Sequence, residues 1–181
     1  MDVKELRKTI DDFGKAMEII RQKSGADADL AEPARAEMAF FGLYLIFDEG
    51  SFDEDELRII EEATGFTVNR NHWNEVMELG RVDSEEKYLS QPPYTFTVMV
   101  DIDNALHDEG QERVAYNAVY EVYKALGEYL VHIKGYADEK RQLKMSRFFE
   151  MTEKYRRDNT KGEEQQVVDP SKKGVQAPKK S

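Results

Sequence analysis

Apolar side chains recur at Val3, Leu6, Ile10, Phe13, Met17 and Ile20, three or four residues apart, which is one stripe along an α-helix. The stripe lasts fewer than about three heptads, so it predicts a core-facing helix over residues 3–20 rather than a coiled-coil seam. Gly25 is the expected stop. A second helix is predicted from near Pro33, a favoured first-turn residue. Its stretch AEMAFFGLYLIF, residues 36–47, is apolar almost all round and so should be central and buried. A third helix, residues 54–63, carries Leu57, Ile59 and Ile60, and a short one carries Trp73, Val76 and Met77. Residues 81–93 read as a connection with one helical turn.

Residues 94–102 break this rhythm. Tyr94, Phe96, Val98, Val100 and Ile102 alternate with smaller or polar residues, the period of a β-strand. Everything around them is helical, and a lone strand has no ladder partner for its backbone. The segment is therefore taken as helix. A long helix follows over residues 112–133, with the stripe Ala115, Val119, Val122, Leu126, Leu130 and Ile133. Tyr116, Tyr120, Tyr123 and Tyr129 are expected at the core edge with hydroxyls in water, and His132 half-buried beside the stripe. The last helix spans residues 138–155, carrying Leu143, Met145, Phe148, Phe149 and Met151. From Asp158 onward aromatics vanish and apolar residues thin out. This segment cannot offset its chain entropy, so residues 158–181 are expected to be a disordered tail behind a body of residues 1–157.

A shift of 85 residues lays Phe41–Glu54 (FGLYLIFDEGSFDE) over Leu126–Glu139 (LGEYLVHIKGYADE), and seven of fourteen positions match in identity or type without a gap. Each half is a buried helix, a glycine turn and an acidic start to the next helix. Two repeats, about 1–82 and 83–157, would then share one core in a compact all-α bundle of about seven helices.

Charge narrows the function. The formal net charge is −11 over 181 residues, and phosphate binding needs clustered Lys and Arg, so nucleic acid is not the expected partner. Cations, or basic faces of other proteins, are. There is no cysteine, which removes disulfides, thiol catalysis and thiolate metal sites. No apolar run approaches the roughly 20 residues of a membrane span, and the first ten residues carry no apolar signal region, so a cytoplasmic protein without membrane insertion is expected. His72, His107 and His132 fall in no ligand or triad spacing, and no phosphate-binding or nucleophile motif is present. Glu61 and Glu62 have no pocket to pair them as acid and base. No enzyme activity and no required cofactor are expected.

The richest local chemistry is DEGSFDEDEL, Asp48–Leu57, with six carboxylates. In one reading Gly50 ends a helix, Asp53 caps the next and Glu56 completes a capping box, with Glu54 and Asp55 favoured by the helix dipole. In the other, Asp48, Glu49, Asp53 and Glu56 converge on Ca²⁺ or Mg²⁺, which want several oxygen ligands. The spacing is not that of an EF-hand. In the second copy Lys134 replaces Glu49 and Arg141 replaces Glu56, so any cation site would belong to the first half. Asp101, Asp103 and His107 form a second acidic cluster that reads as a helix end.

Glu49, Gly50, Asp53 and Glu56, a helix ending in the Asp103–Asn104 pair, and the Leu126–Gly127 step of the long helix resemble the TerB-like family, named for a tellurite-resistance protein. The resemblance covers roughly residues 35–155. It implies an all-helical fold and favours helix at Tyr94. It also implies an accessory setting, since such domains occur with stress-response systems, AAA-type ATPases and surface-associated assemblies, and some resemble divalent-metal binders.

Overall fold

Helix α2, Ala31–Ile46, is the pivot of the molecule, and the reason is in its composition: Met38, Ala39, Phe41, Leu43, Tyr44, Leu45 and Ile46 are all buried. A helix apolar on every side must be covered on every side, and α2 packs on five others, α1 (Val3–Ser24), α3 (Glu54–Thr64), α6 (Tyr94–Asp108), α7 (Ala115–Val131) and α8 (Glu139–Asn159). Between α3 and α6 run a 3₁₀ turn, Arg70–His72, and the short helices α4, Trp73–Leu79, and α5, Glu85–Tyr88. These elements come from a computed structural model that describes residues 2–24, 30–47 and 52–162. Among the described residues every regular element is helical, and no helix is long and apolar enough to cross a membrane. Gly25, Asp48, Glu49 and Gly50 lie outside the described residues, as does the chain from 163 onward.

The segment with strand-like alternation is the helix α6. Its buried residues Phe96, Met99, Val100, Asp103 and Asn104 follow the i, i+3, i+4, i+7, i+8 pattern of one helical face. The apparent period of two arises because Tyr94 is exposed while Val98 and Ile102 sit only at the core margin. Phe96 then joins a ring cluster with Tyr116, Tyr123 and Phe148, at centroid distances of 5.6, 4.9 and 5.7 Å, and Phe41 meets Phe148 at 4.4 Å. Tyr116 and Tyr123 are thus core residues, not core-edge ones. Their rings fill the space between α2, α6 and α8, and that burial pushes their phenols well above the usual tyrosine range.

Two sets of three helices repeat one arrangement. Helix α1 lies on α2 and α3 as α6 lies on α7 and α8; across the set α1 touches α7 and α6 touches α2. This exchange of neighbours is that of an approximate two-fold. The 85-residue offset survives in detail. A Cβ on Gly42 would stand 3.0 Å from Ile60, and one on Gly127 2.5 Å from Met145 Sδ, and these are equivalent pairs. The missing side chain lets each central helix close on the helix that follows it.

Three boundaries differ from the sequence expectation. Helix α7 starts at Ala115, not Glu112, because buried Asp103 reaches from α6 and accepts the N–H groups of Ala115 and Tyr116, at 2.8 and 2.9 Å. Helix α8 runs on to Asn159, and Asn104 clamps its exit, donating to the Asn159 carbonyl and accepting from the Lys161 N–H, at 2.9 and 2.8 Å. The docked body therefore extends through Gly162, beyond the expected start of the tail at Asp158. His132 is exposed, since the stripe of α7 passes one position away from it.

Candidate functional site

Asp53 does what a local reading of the acidic turn requires. With extended backbone (φ −83°, ψ 122°) its Oδ1 accepts from the N–H groups of Asp55 and Glu56, at 2.9 and 3.3 Å, and caps α3. Glu54 and Asp55 face water in the first turn, paired with Arg70 and Arg58. Phe52, the aromatic residue of the turn, packs edge-on against Trp73 at 4.2 Å.

Glu56 departs from the expected capping box. Its carboxylate is turned inward, 4% exposed, and both oxygens accept from Arg141 Nη2, at 2.9 and 2.8 Å. Lys134 Nζ stands 3.4 Å from the same carboxylate. Arg141 is itself buried, donates from Nη1 to the Leu130 carbonyl at 2.9 Å, and lies 3.5 Å from Asp138, the residue that caps α8. An ion pair this deep persists only when its remaining donors and acceptors are matched, and here Leu130 and Asp138 complete the set. Lys144 adds a third cation, donating to the carbonyls of Tyr44 and Phe47 at the end of α2, where the helix dipole favours positive charge.

Glu56 and Arg141 are 85 residues apart, so they are the same position in the two repeats. The sequence shows the charge reversal at this position and at Glu49/Lys134, which reads as loss of a site in the second half. The structure shows instead that Glu56, Arg141 and Lys134 are brought together. The signal was available: residues near a two-fold meet their own equivalents, and opposite charges there make a pair.

This geometry bears on the Ca²⁺ or Mg²⁺ reading. Of Asp48, Glu49, Asp53 and Glu56, the first two lie outside the described residues. Asp53 is directed at backbone N–H groups and Glu56 at Arg141, so a cation would have to displace both sets of donors. Asp53 and Glu56 do not fit a metal. Among the described residues no group of three or more His, Asp and Glu side chains converges for one. The cavity beside the pair, about 380 Å³, is bounded by Phe47, Phe52 and the cationic side chains of the second half.

The remaining candidates have structural partners or face water. Asp101 and His107 are exposed, while Asp103 caps α7. His72 sits on the surface beside Glu75. Glu61 binds Arg70 through both oxygens, each at 3.0 Å, and accepts the Val68 N–H at 2.8 Å. Burial raises its pKa, but Arg70 and the Val68 N–H lower it further, and the net shift is downward. Glu62 is exposed, and its carbonyl accepts from Arg7. Glu37, which the sequence did not single out, caps α6 by accepting the N–H groups of Tyr94 and Thr95, at 2.6 and 2.9 Å, and the Thr95 hydroxyl. No family model matches the chain, and neither a curated protein nor a solved structure does.

Proposed function

We propose that this chain is a non-enzymatic, acidic helical module of the cytoplasm that works by binding another protein, as an accessory part of a stress-response or ATPase-linked system. The observation that carries the reading is the engagement of its inward-facing acids. Glu56, Asp103, Glu37 and Glu61 each hold a helix terminus, an ion pair or a loop N–H. A general acid or base needs a free carboxylate within reach of a bound substrate, and these acids are already bonded within the fold. The net charge of −11 supports a partner with a basic face, because such charge steers encounter with opposite charge. The resemblance to TerB-like domains supports the accessory setting.

The test is cross-linking and co-purification of the full chain from its own host, followed by reconstitution with the purified candidate. A stoichiometric complex whose association slows as salt rises is expected. Turnover of an ester, phosphoester or nucleotide substrate, lost when an acid is neutralised in a still-folded variant, would overturn the reading.

A further inference from the structure

Helix α4 ends in Leu-Gly-Arg, and its closing turn is unusual. Arg81 N–H bonds to the Glu78 carbonyl and Val82 N–H to that of Met77, both at 3.0 Å, which is a Schellman closure. Its left-handed position commonly takes glycine, yet Arg81 occupies it, at φ 57°, while Gly80 precedes it in ordinary helical conformation. Gly80 has its own constraint: a Cβ there would stand 2.2 Å from the Phe40 ring. A long cationic side chain is thus held in a disfavoured backbone conformation, the kind of strain that gathers at functional places.

Arg81 borders a groove of about 220 Å³ whose walls include Phe40, Leu79, Pro93 and Glu37. Leu79 is 78% exposed, and Tyr94, next to Pro93, is 55% exposed. The Glu37 carboxylate is engaged at the start of α6. The Arg81 guanidinium makes no hydrogen bond or ion pair among the described residues, unlike Arg7, Arg35, Arg70 and Arg141. Burial pushes the neighbouring Tyr88 phenol up, Glu37 adds to that shift and Arg81 opposes it. The groove therefore pairs an apolar wall with a cation that has no hydrogen-bond or ion-pair partner among the described residues, the Glu37 carboxylate in its lining being held by the N–H groups that start α6.

We propose that this groove receives the C-terminal residue of a partner protein, its apolar side chain against Leu79, Phe40 and Pro93 and its α-carboxylate on Arg81. A terminal residue places an apolar side chain and a carboxylate side by side, and a guanidinium pairs with a carboxylate through charge-assisted hydrogen bonds. The proposal rests on the interaction-module reading and names one contact within it. The acidic body favours a partner that is basic overall, while the groove asks for one carboxylate at its end.

The experiment is an amide-shift NMR titration of the full chain with N-acetyl-leucine and, separately, N-acetyl-leucinamide, which lacks the carboxylate. Saturable shifts at Gly80, Arg81, Val82 and Tyr94 are expected, with the acid bound about tenfold more tightly, as a charge-assisted hydrogen bond implies. The variant is Arg81→Gly, which suits the left-handed turn. It should fold with an unchanged or higher Tm and lose the preference for the acid. Equal binding of acid and amide by the wild type, an undiminished preference in the folded variant, or shifts confined to other surfaces would each overturn the proposal. A captured partner that binds Arg81→Gly as well as the wild type would sink the groove and leave the module reading standing. Groove binding in a chain that captures no protein would do the reverse.

Discussion

Removing Arg141 should be the most damaging single change at the junction of the two halves. Arg141→Met keeps most of the side-chain volume but leaves the buried Glu56 carboxylate with Lys134 alone, at 3.4 Å on a side chain 44% exposed. It also leaves the Leu130 carbonyl without its donor. Breaking one side of a buried pair costs about 3–5 kcal/mol, and for a chain of this size each kcal/mol lowers Tm by about 2–4 °C, so a fall of about 6–20 °C is expected. Glu56→Gln should cost less, about 2–3 kcal/mol, because the amide oxygen still accepts and Arg141 keeps Leu130. The double variant Glu56→Leu, Arg141→Met removes both charges together and should recover to within about 2 kcal/mol of the wild type, since apolar replacement of a buried pair is often neutral. Reversing the pair should not rescue it. A carboxylate at 141 would face Asp138 and could not donate to Leu130. Urea denaturation at one pH of the wild type, Glu56→Leu, Arg141→Met and the double variant closes the cycle, with Glu56→Gln measured beside it. Additive losses, or a cost below about 1 kcal/mol for Arg141→Met, would show that the pair does not hold the halves together.

Three further outcomes follow from the packing. Gly42→Ala should destabilise by about 1–3 kcal/mol, because Ile60 is branched and fully buried, whereas Gly127→Ala should cost less, because the end of Met145 can swing away; thermal melts of both variants give the order. Glu61 has a lowered pKa, so its contribution is present above its unfolded value of about 4.3 and is lost as pH falls through the folded one. Arg70→Gln should thus lower Tm slightly near neutrality, and the gap to wild type should close in acid; a gap independent of pH would refute this. Truncation after Gly162 should leave Tm unchanged. Truncation after Arg157 should lower stability by about 1–3 kcal/mol, because buried Asn104 loses its partners at Asn159 and Lys161.

Local chemistry was legible in the chain. The stripe of α1, the all-round apolarity of α2 and the cap at Asp53 each depend on neighbours a few residues away, and each stands where periodicity or spacing put it. What escaped depends on residues far apart in sequence. Glu56 had two destinations, the backbone N–H of its own capping box or a side chain 85 positions on, and only tertiary packing decides between them. The same holds for Asp103, an unremarkable helix-end acid until α7 arrives beside it. Tyr116 and Tyr123 looked amphipathic because tyrosine is, but α8 covers them through Thr152 and Phe148. At Leu-Gly-Arg the natural inference puts glycine in the left-handed turn, and the backbone places it one residue later.

The pairing of one position with its own counterpart carries a consequence for assembly. Two separate copies of a single half, related by a true symmetry axis, would bring Glu onto Glu or Arg onto Arg at this spot, an arrangement that burial makes untenable. Joining the halves in one polypeptide lifts that restriction, because each can then carry the sign the other lacks. The centre of the molecule is therefore keyed for its own opposite half and against duplicates of either. A released first half would present a buried acid that no second first half can answer, and self-association of fragments is disfavoured by the same charge that makes the intact chain whole.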